Sequence, residues 1–336
     1  MIYPSTALNT EEKRESIKMR ELSVVMYHYV RDLENSRYPR IKGLDFSFFR
    51  QQVQFLKENF SIITMEELIA SYEEAYELPE KAVLLTFDDG YKDHYLNVYP
   101  ILKEYGIQGS FFIPGKTFYE SVLLDVNKIH FILASMSIRE LVTRLMMQLD
   151  FYRGQEYPYE ANEVLYEKYA VASRFDSADT IFVKRILQTV LPEELRSVIA
   201  SNLFEQAVGI EESKFAKELY MNYDQIKCMK LDGMHIGLHG YDHYWLGNLD
   251  QKKMEQDVRR SKEVLGDFLD ARKWTIAYPY GSYNEAVLEC MQTAGCAAGF
   301  TTEVRKASIP GGSRYTIPRL DTNDFPPKSH NFEKIQ

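Results

Sequence analysis

Thr86-Phe87-Asp88-Asp89-Gly90 constrains this chain more than any other stretch. The apolar run Ala82-Val83-Leu84-Leu85 feeds directly into two adjacent carboxylates and a glycine. Such a run, rich in Val and Leu and bounded by turn chemistry, reads as a strand buried on both faces. Barrels and open parallel sheets keep their chemistry at the exits of such strands. Neighbouring carboxylates repel, so the pair is costly unless a cation or differing pKa values resolve it. A metal ion held by one acid, with the other left free as a base, does both. Asp-Asp-Gly is also an ordinary surface turn, and alone that reading is the commoner one. Partners downstream change the balance.

The first partners are His239 and His243, within Met234-His235-Ile236-Gly237-Leu238-His239-Gly240-Tyr241-Asp242-His243. Two imidazoles four apart can meet one ion, on a helical face or around a tight turn. The apolar run and the glycines favour a strand end followed by a turn. The zinc-protease pattern His-Glu-x-x-His fails, because Gly240 holds the place of the glutamate. The other partner is Trp274-Thr275-Ile276-Ala277-Tyr278-Pro279-Tyr280-Gly281, a short apolar segment ending in a rigid Pro-Gly loop. A loop of this kind can aim a main-chain N–H at a developing oxyanion.

In this order the three segments resemble the polysaccharide deacetylases of the NodB type, carbohydrate esterase family 4. The family's first motif, Thr-Phe-Asp-Asp-Gly, is met letter for letter at 86–90. Its second, His-(Ser/Thr)-x-x-His, is met by His239 and His243 with Gly240 in the hydroxyl position. Its third, Arg-x-Pro-(Tyr/Phe)-Gly, is met by Pro279, Tyr280 and Gly281, but Ala277 replaces the arginine. The opening pattern Val24-Val25-Met26-Tyr27-His28-Tyr29-Val30 is also similar to many members. The resemblance covers roughly residues 22–115 and 225–322.

The resemblance implies that Asp89, His239 and His243 bind one divalent metal ion, zinc first, with cobalt, nickel or manganese as alternatives. Three protein ligands leave positions open for water and substrate. It implies that Asp88 is the general base toward the attacking water and that the backbone N–H of Tyr280 faces the oxyanion. A general acid must then protonate the leaving amine. Three departures stand out: Ala277 for the orienting arginine, no late Leu-x-His motif, and no Asp-x-x-Asp-Trp motif. Arg319, in the strand-like Thr316-Ile317-Pro318-Arg319-Leu320, is the candidate to support the base, and His28 the candidate acid or substrate donor. Each also has a plain structural reading, a surface or salt-bridged arginine and a satisfied core histidine.

Composition fits an enzyme. Hydrophobic content of 45% and charged content of 26% over 336 residues are those of a globular chain that holds one large domain plus an insertion, or two domains. A net charge of −9 argues against nucleic acid and anionic membrane as main partners. Residues 1–21 lack the apolar centre of a signal peptide, and no run approaches the roughly 20 apolar residues of a membrane span. Cys228, Cys290 and Cys296 form no Cys-x-x-Cys pattern and read as reduced thiols, so the cytoplasm is the expected compartment.

The expected fold is α/β, a distorted (β/α)7 TIM-like barrel built from residues 1–115 and 225–336. Helices are expected near 46–59, 92–105, 250–269 and 284–294, and strands at 82–87, 110–114, 297–300 and 317–320. Thr64 and Glu67 form a capping-box pattern. Between about 116 and 224 helical spacing dominates, and this segment separates Asp89 from His239 by 150 positions. It reads as a mostly helical insertion on the catalytic face, able to cap the site, to mediate homo-oligomer formation, or to do neither. The expected activity is metal-dependent hydrolysis of an N-acetyl group from an amino sugar or glycan, in surface polysaccharide metabolism. The alternatives are hydrolysis of another small C–N amide or cyclic ureide, or a non-catalytic glycan-binding homologue.

Overall fold

Every residue from Ala82 to Asp88 is withdrawn from solvent, as are Leu22 to Val25 and Tyr27. These continuous apolar runs form neighbouring parallel strands because both of their faces are covered. The structure, a computed structural model, describes residues 18–73, 76–154, 157–174 and 176–336. The described strands of the main sheet include β1 (Arg20–Tyr27), β2 (Ala82–Asp88), β3 (Ser110–Ile113), β4 (His235–Leu238), β5 (Thr275–Ala277), β6 (Ala298–Phe300), β7 (Ala307–Ile309) and β8 (Leu320–Asp321). Their order is β7-β1-β2-β3-β4-β5-β6, all parallel except β7, with β8 pairing parallel to β1. The sheet curls into the NodB-type (β/α)7 barrel fold.

The register aligns the strand exits. Asp88 lies opposite Phe112, Ile113 opposite Leu238, and Leu238 opposite Ile276. The residues that follow β2, β4 and β5 therefore emerge at one end of the sheet. The segment expected as a strand over 317–320 is divided. Ile317 makes a bridge to Phe300 of β6, and the ladder to β1 involves only Leu320 and Asp321. Pro318 between them has no N–H to donate to a ladder. The segment nevertheless carries the sheet round from β6 to β1.

Local chemistry sets the helices. The helix Phe46–Asn59 buries Phe49, Gln52, Val53 and Leu56 on one face, and Asp45 caps it by accepting from Ser47 N at 2.9 Å. Thr64 and Glu67 make both bonds of a capping box, at 2.8 and 3.2 Å. The helix expected over 92–105 opens as a π-helical turn, His94–Val98, before the α-helix Tyr99–Tyr105. Pro100 has no N–H for the carbonyl of Leu96, so the turn before it widens. Gly106 closes the helix in the left-handed region at φ 66°.

The described chain divides into two compact units. The first, residues 18–30, 44–120 and 220–336 within the described ranges, holds the sheet. The second is Arg31–Gly43 with Ser121–Leu219. Its helices are Asp125–Ser135, Ile138–Tyr152, Asn162–Tyr169, Ala178–Arg185, Glu193–Val208 and Glu212–Leu219. Leu141, Leu145 and Leu149, and Leu195, Ile199 and Leu203, are buried stripes with four-residue spacing. The strap from Arg31 to Gly43 belongs to this unit. Arg40 Nε donates to Ala134 O at 2.9 Å, and the Tyr38 ring packs on Phe131 and Phe215. Among the described residues no helix is long and apolar enough to cross a membrane.

Candidate metal and catalytic site

Asp89 leaves β2 with a left-handed backbone, φ 77°, and Gly90 follows at φ 65°. This reversal turns the Asp89 side chain away from the direction the strand would give it. His243 and Tyr280 also have left-handed backbones, at φ 57° and 58°. Five non-glycine residues do so among the described residues, and three of them are these. Such conformations cost on the order of 1–3 kcal/mol each and persist where the surroundings over-determine them.

Asp89, His239 and His243 come together. One ligand atom from each lies within 4.8 Å of the others, and all three residues are buried. Asp89 Oδ1 is 3.3 Å from His239 Nε2 and 3.2 Å from His243 Nε2. That oxygen has no hydrogen-bond partner, although it is cut off from water. A buried carboxylate oxygen left bare costs several kcal/mol on the order-of-magnitude scale unless a cation takes it. His239 Nδ1 donates to Ala277 O at 2.7 Å, which leaves Nε2 as the lone-pair nitrogen facing Asp89. Two imidazole nitrogens and one carboxylate oxygen form a donor set suited to zinc and its neighbours. The residues present therefore fit a divalent cation.

The electrostatics agree. Burial alone would push the Asp89 carboxyl up, but the two imidazoles of His239 and His243 facing it hold it well below the usual carboxylate range. Burial pulls both histidines down. His239 is nevertheless raised, because Asp88 and Asp89 both face it, whereas His243 ends lowered.

Asp88 has a different setting. Arg319, 1% exposed, donates Nη1 to Asp88 Oδ1 at 2.8 Å and Nη2 to Oδ2 at 2.7 Å. Its Nε donates to Thr301 O at 2.8 Å, which fixes the guanidinium plane. Burial would raise the Asp88 carboxyl, and Arg319 with His239 brings it below its ordinary value. The arginine thus reaches Asp88 from the segment after β7, while Ala277 offers His239 only its backbone carbonyl.

Tyr280 packs its ring edge-on against His243, centroids 4.8 Å apart, and flat against Trp245 at 4.5 Å. His28 sits half-buried just past β1, its carbonyl accepting from His94 Nε2 at 2.9 Å, and it lies near enough to favour ionised Asp88 and Asp89.

Three residues the motifs did not single out also shape the site. Tyr91 donates its hydroxyl to Asp89 Oδ2. Asp257, buried on the helix Gln251–Leu265, accepts from Tyr241 N at 2.8 Å and Asp242 N at 3.0 Å, so it holds the loop between the two histidines. Trp245 backs Tyr280. Asp257 carries a faint signal, an acid among the buried positions Met254, Val258 and Leu265 of an amphipathic helix.

Comparison with known proteins bears on this geometry. The profile described as "Polysaccharide deacetylase" matches residues 75–145 and 167–299, more than half of the chain. YxkH of Bacillus subtilis (strain 168), whose own assignment as a polysaccharide deacetylase is provisional, is 21% identical over 90% of this chain and 72% of its own length. The poly-beta-1,6-N-acetyl-D-glucosamine N-deacetylase of Staphylococcus aureus (strain MRSA252) is 30% identical over 32% of this chain, a match spanning 42% of that enzyme. Among solved structures, the Streptococcus pyogenes deacetylase PplD in complex with acetate superposes with a TM-score of 0.55 at 18% identity, covering 94% of this chain and 98% of that one.

Proposed function

Because the chain belongs to the polysaccharide deacetylase family, we propose that it hydrolyses the N-acetyl group of an N-acetylated amino sugar in a glycan. The reaction is R–NH–CO–CH₃ plus water giving R–NH₂ and acetate. The observation that carries this reading is the convergence of Asp89 Oδ1 with His239 Nε2 and His243 Nε2 next to a second aspartate clamped by arginine.

In this reading Asp89, His239 and His243 hold a divalent ion, zinc first, which when bound supplies Lewis acidity toward the attacking water and the acetamide carbonyl. Asp88 takes the proton of that water on a carboxylate oxygen. Each of its oxygens receives one N–H of Arg319 and keeps a second lone pair for the proton. Arg319 keeps Asp88 ionised and prevents it from rotating toward the histidines. The backbone N–H of Tyr280 is assigned to the oxyanion of the tetrahedral intermediate, and the Trp245 ring limits how far that loop moves. His28 is assigned as the acid that protonates the leaving nitrogen. The name of the Staphylococcus relative supports a β-1,6-linked N-acetylglucosamine polymer as substrate class. The helical unit is assigned to substrate choice or self-association.

The test is acetate release from β-1,6- and β-1,4-linked N-acetylglucosamine oligomers. The protein is assayed after chelator treatment and after zinc is restored. Acetate release that depends on zinc supports the proposal, and no release from either polymer under both conditions rejects it.

A further inference from the structure

A carboxylate can give a metal one oxygen or two, and the two oxygens of Asp89 have different partners in this structure. We propose that Tyr91 is a positioning residue that makes Asp89 a one-oxygen ligand and so sets the coordination number of the bound ion. This rests on the assignment of Asp89, His239 and His243 as metal ligands.

The two oxygens of Asp89 have opposite surroundings. Oδ2 accepts the Tyr91 hydroxyl. Oδ1 accepts nothing and faces both imidazole Nε2 atoms. A tyrosine hydroxyl is protonated at neutral pH, so it donates, and an oxygen that accepts this bond is a poorer and less reachable donor to a cation.

Tyr91 has little freedom to release that oxygen. Its side chain is fully buried. Its ring is stacked on Tyr29, with centroids 4.1 Å and planes 16° apart, and runs nearly parallel to that of Tyr220, at 6.3 Å and 10°. Its backbone pairs with Tyr220 across an antiparallel bridge, and the neighbouring Gly90 O accepts from Met221 N at 3.0 Å. A buried side chain stacked on a neighbouring ring and fixed at its backbone is a stiff support for a ligand. One atom from each of three ligands leaves room for water and substrate, whereas a two-oxygen Asp89 would occupy one of the open positions.

Tyr91→Phe keeps the ring in its stack and removes only the hydroxyl. Wild type and variant are stripped of metal and titrated with zinc against a chromophoric chelator. Both are then loaded with cobalt(II), whose visible absorption is strong at low coordination number and weak at six. The cobalt spectrum of Tyr91→Phe should lose intensity as Asp89 closes on the ion with both oxygens. A folded variant with an unchanged cobalt spectrum overturns the proposal, whatever its affinity. If the variant does not fold, a crystal structure of the zinc-loaded wild type decides. Oδ2 resting on the Tyr91 hydroxyl sustains the proposal, and Oδ2 bonded to the ion overturns it. A wild-type protein that takes up neither zinc nor cobalt instead removes the ligand assignment beneath it.

Discussion

Arg319 grips both oxygens of Asp88, although 231 positions separate the two residues. The paired N–H groups of a guanidinium match a carboxylate edge to edge, so the contact fixes orientation as well as charge. Arg319→Met should lower turnover by about 10²–10⁴-fold, the range of a misplaced general base, with metal content near that of wild type. The pH profile should move too. Burial raises the Asp88 carboxyl and Arg319 lowers it, so removing the arginine leaves burial unopposed. The acid limb of kcat/KM should then shift to higher pH. Arg319→Lys should rescue only partly, because an ammonium cannot make the paired contact. Turnover and acid limb both unchanged in Arg319→Met would refute the support role.

The two neighbouring aspartates should separate on substitution. Asp88→Asn should keep the metal and lose turnover, since an amide oxygen is a poor base. Asp89→Asn should lose metal, because a neutral amide replaces the charged ligand. Metal analysis of both purified variants checks this, and equal loss in both would end the division of labour.

Stability should fall on acidification in a window set by buried histidine. His235 is withdrawn from water, and its Nε2 lies 2.7 Å from Thr275 Oγ1. Burial is the main cause that lowers it to about 4, with Lys230 acting in the same direction and Glu66 and Asp270 opposing. The unfolded chain takes up this proton near pH 6.5, and the folded chain does not until about 4. Between those values the unfolded state binds more protons, so stability drops as pH falls, and the drop levels off below 4. His94, also lowered to about 4 by burial, adds in the same sense. Urea unfolding at several pH values reads the slope. His235→Gln should make it shallower, and a slope identical to wild type would show that His235 titrates normally.

Gly281 directly follows Tyr280 in a turn with no room for a side chain. Its φ is 68°, and a Cβ there would lie 2.2 Å from Thr302 Oγ1 and 2.8 Å from Thr302 N. Gly281→Ala should destabilise by more than about 1 kcal/mol and should reduce turnover by displacing Tyr280, with metal retained. Gly295→Ala is the control, because its φ of 78° is similar and nothing lies within 4 Å of the new carbon. Equal thermal shifts in the two variants would mean that backbone strain alone, without the Thr302 contact, accounts for the loss.

Much of the site was legible in the chain because its parts are contiguous words. Asp88 with Asp89, and His239 with His243, each sit within a few residues at the end of an apolar run, where the strand exits fall. Arg319 was legible only as a candidate, since its approach to Asp88 depends on the sheet curling until its last segment reaches its first strand. Tyr91 follows the first motif directly, but nothing in its neighbours tells that its ring turns inward to stack on Tyr29. Asp257 was hidden in a charged helix, where an acid normally faces water. Its burial follows from the loop it holds, whose Tyr241 and Asp242 lie 16 and 15 positions earlier, and helical spacing does not show that the chain turns back onto it. The division of the last strand depended on one missing N–H, at Pro318.

The return of the segment from Ile317 to Asp321 onto β1 has a consequence for synthesis. A ribosome making this chain completes both aspartates and both histidines before it makes Arg319. Until that residue emerges, the Val25–Met26 half of that edge of β1 stays unpaired, although Ala307–Ile309 already covers Arg20–Leu22, and Asp88 has no buried arginine beside it. One late segment of five residues therefore both closes the sheet onto its first strand and delivers the counter-charge of Asp88.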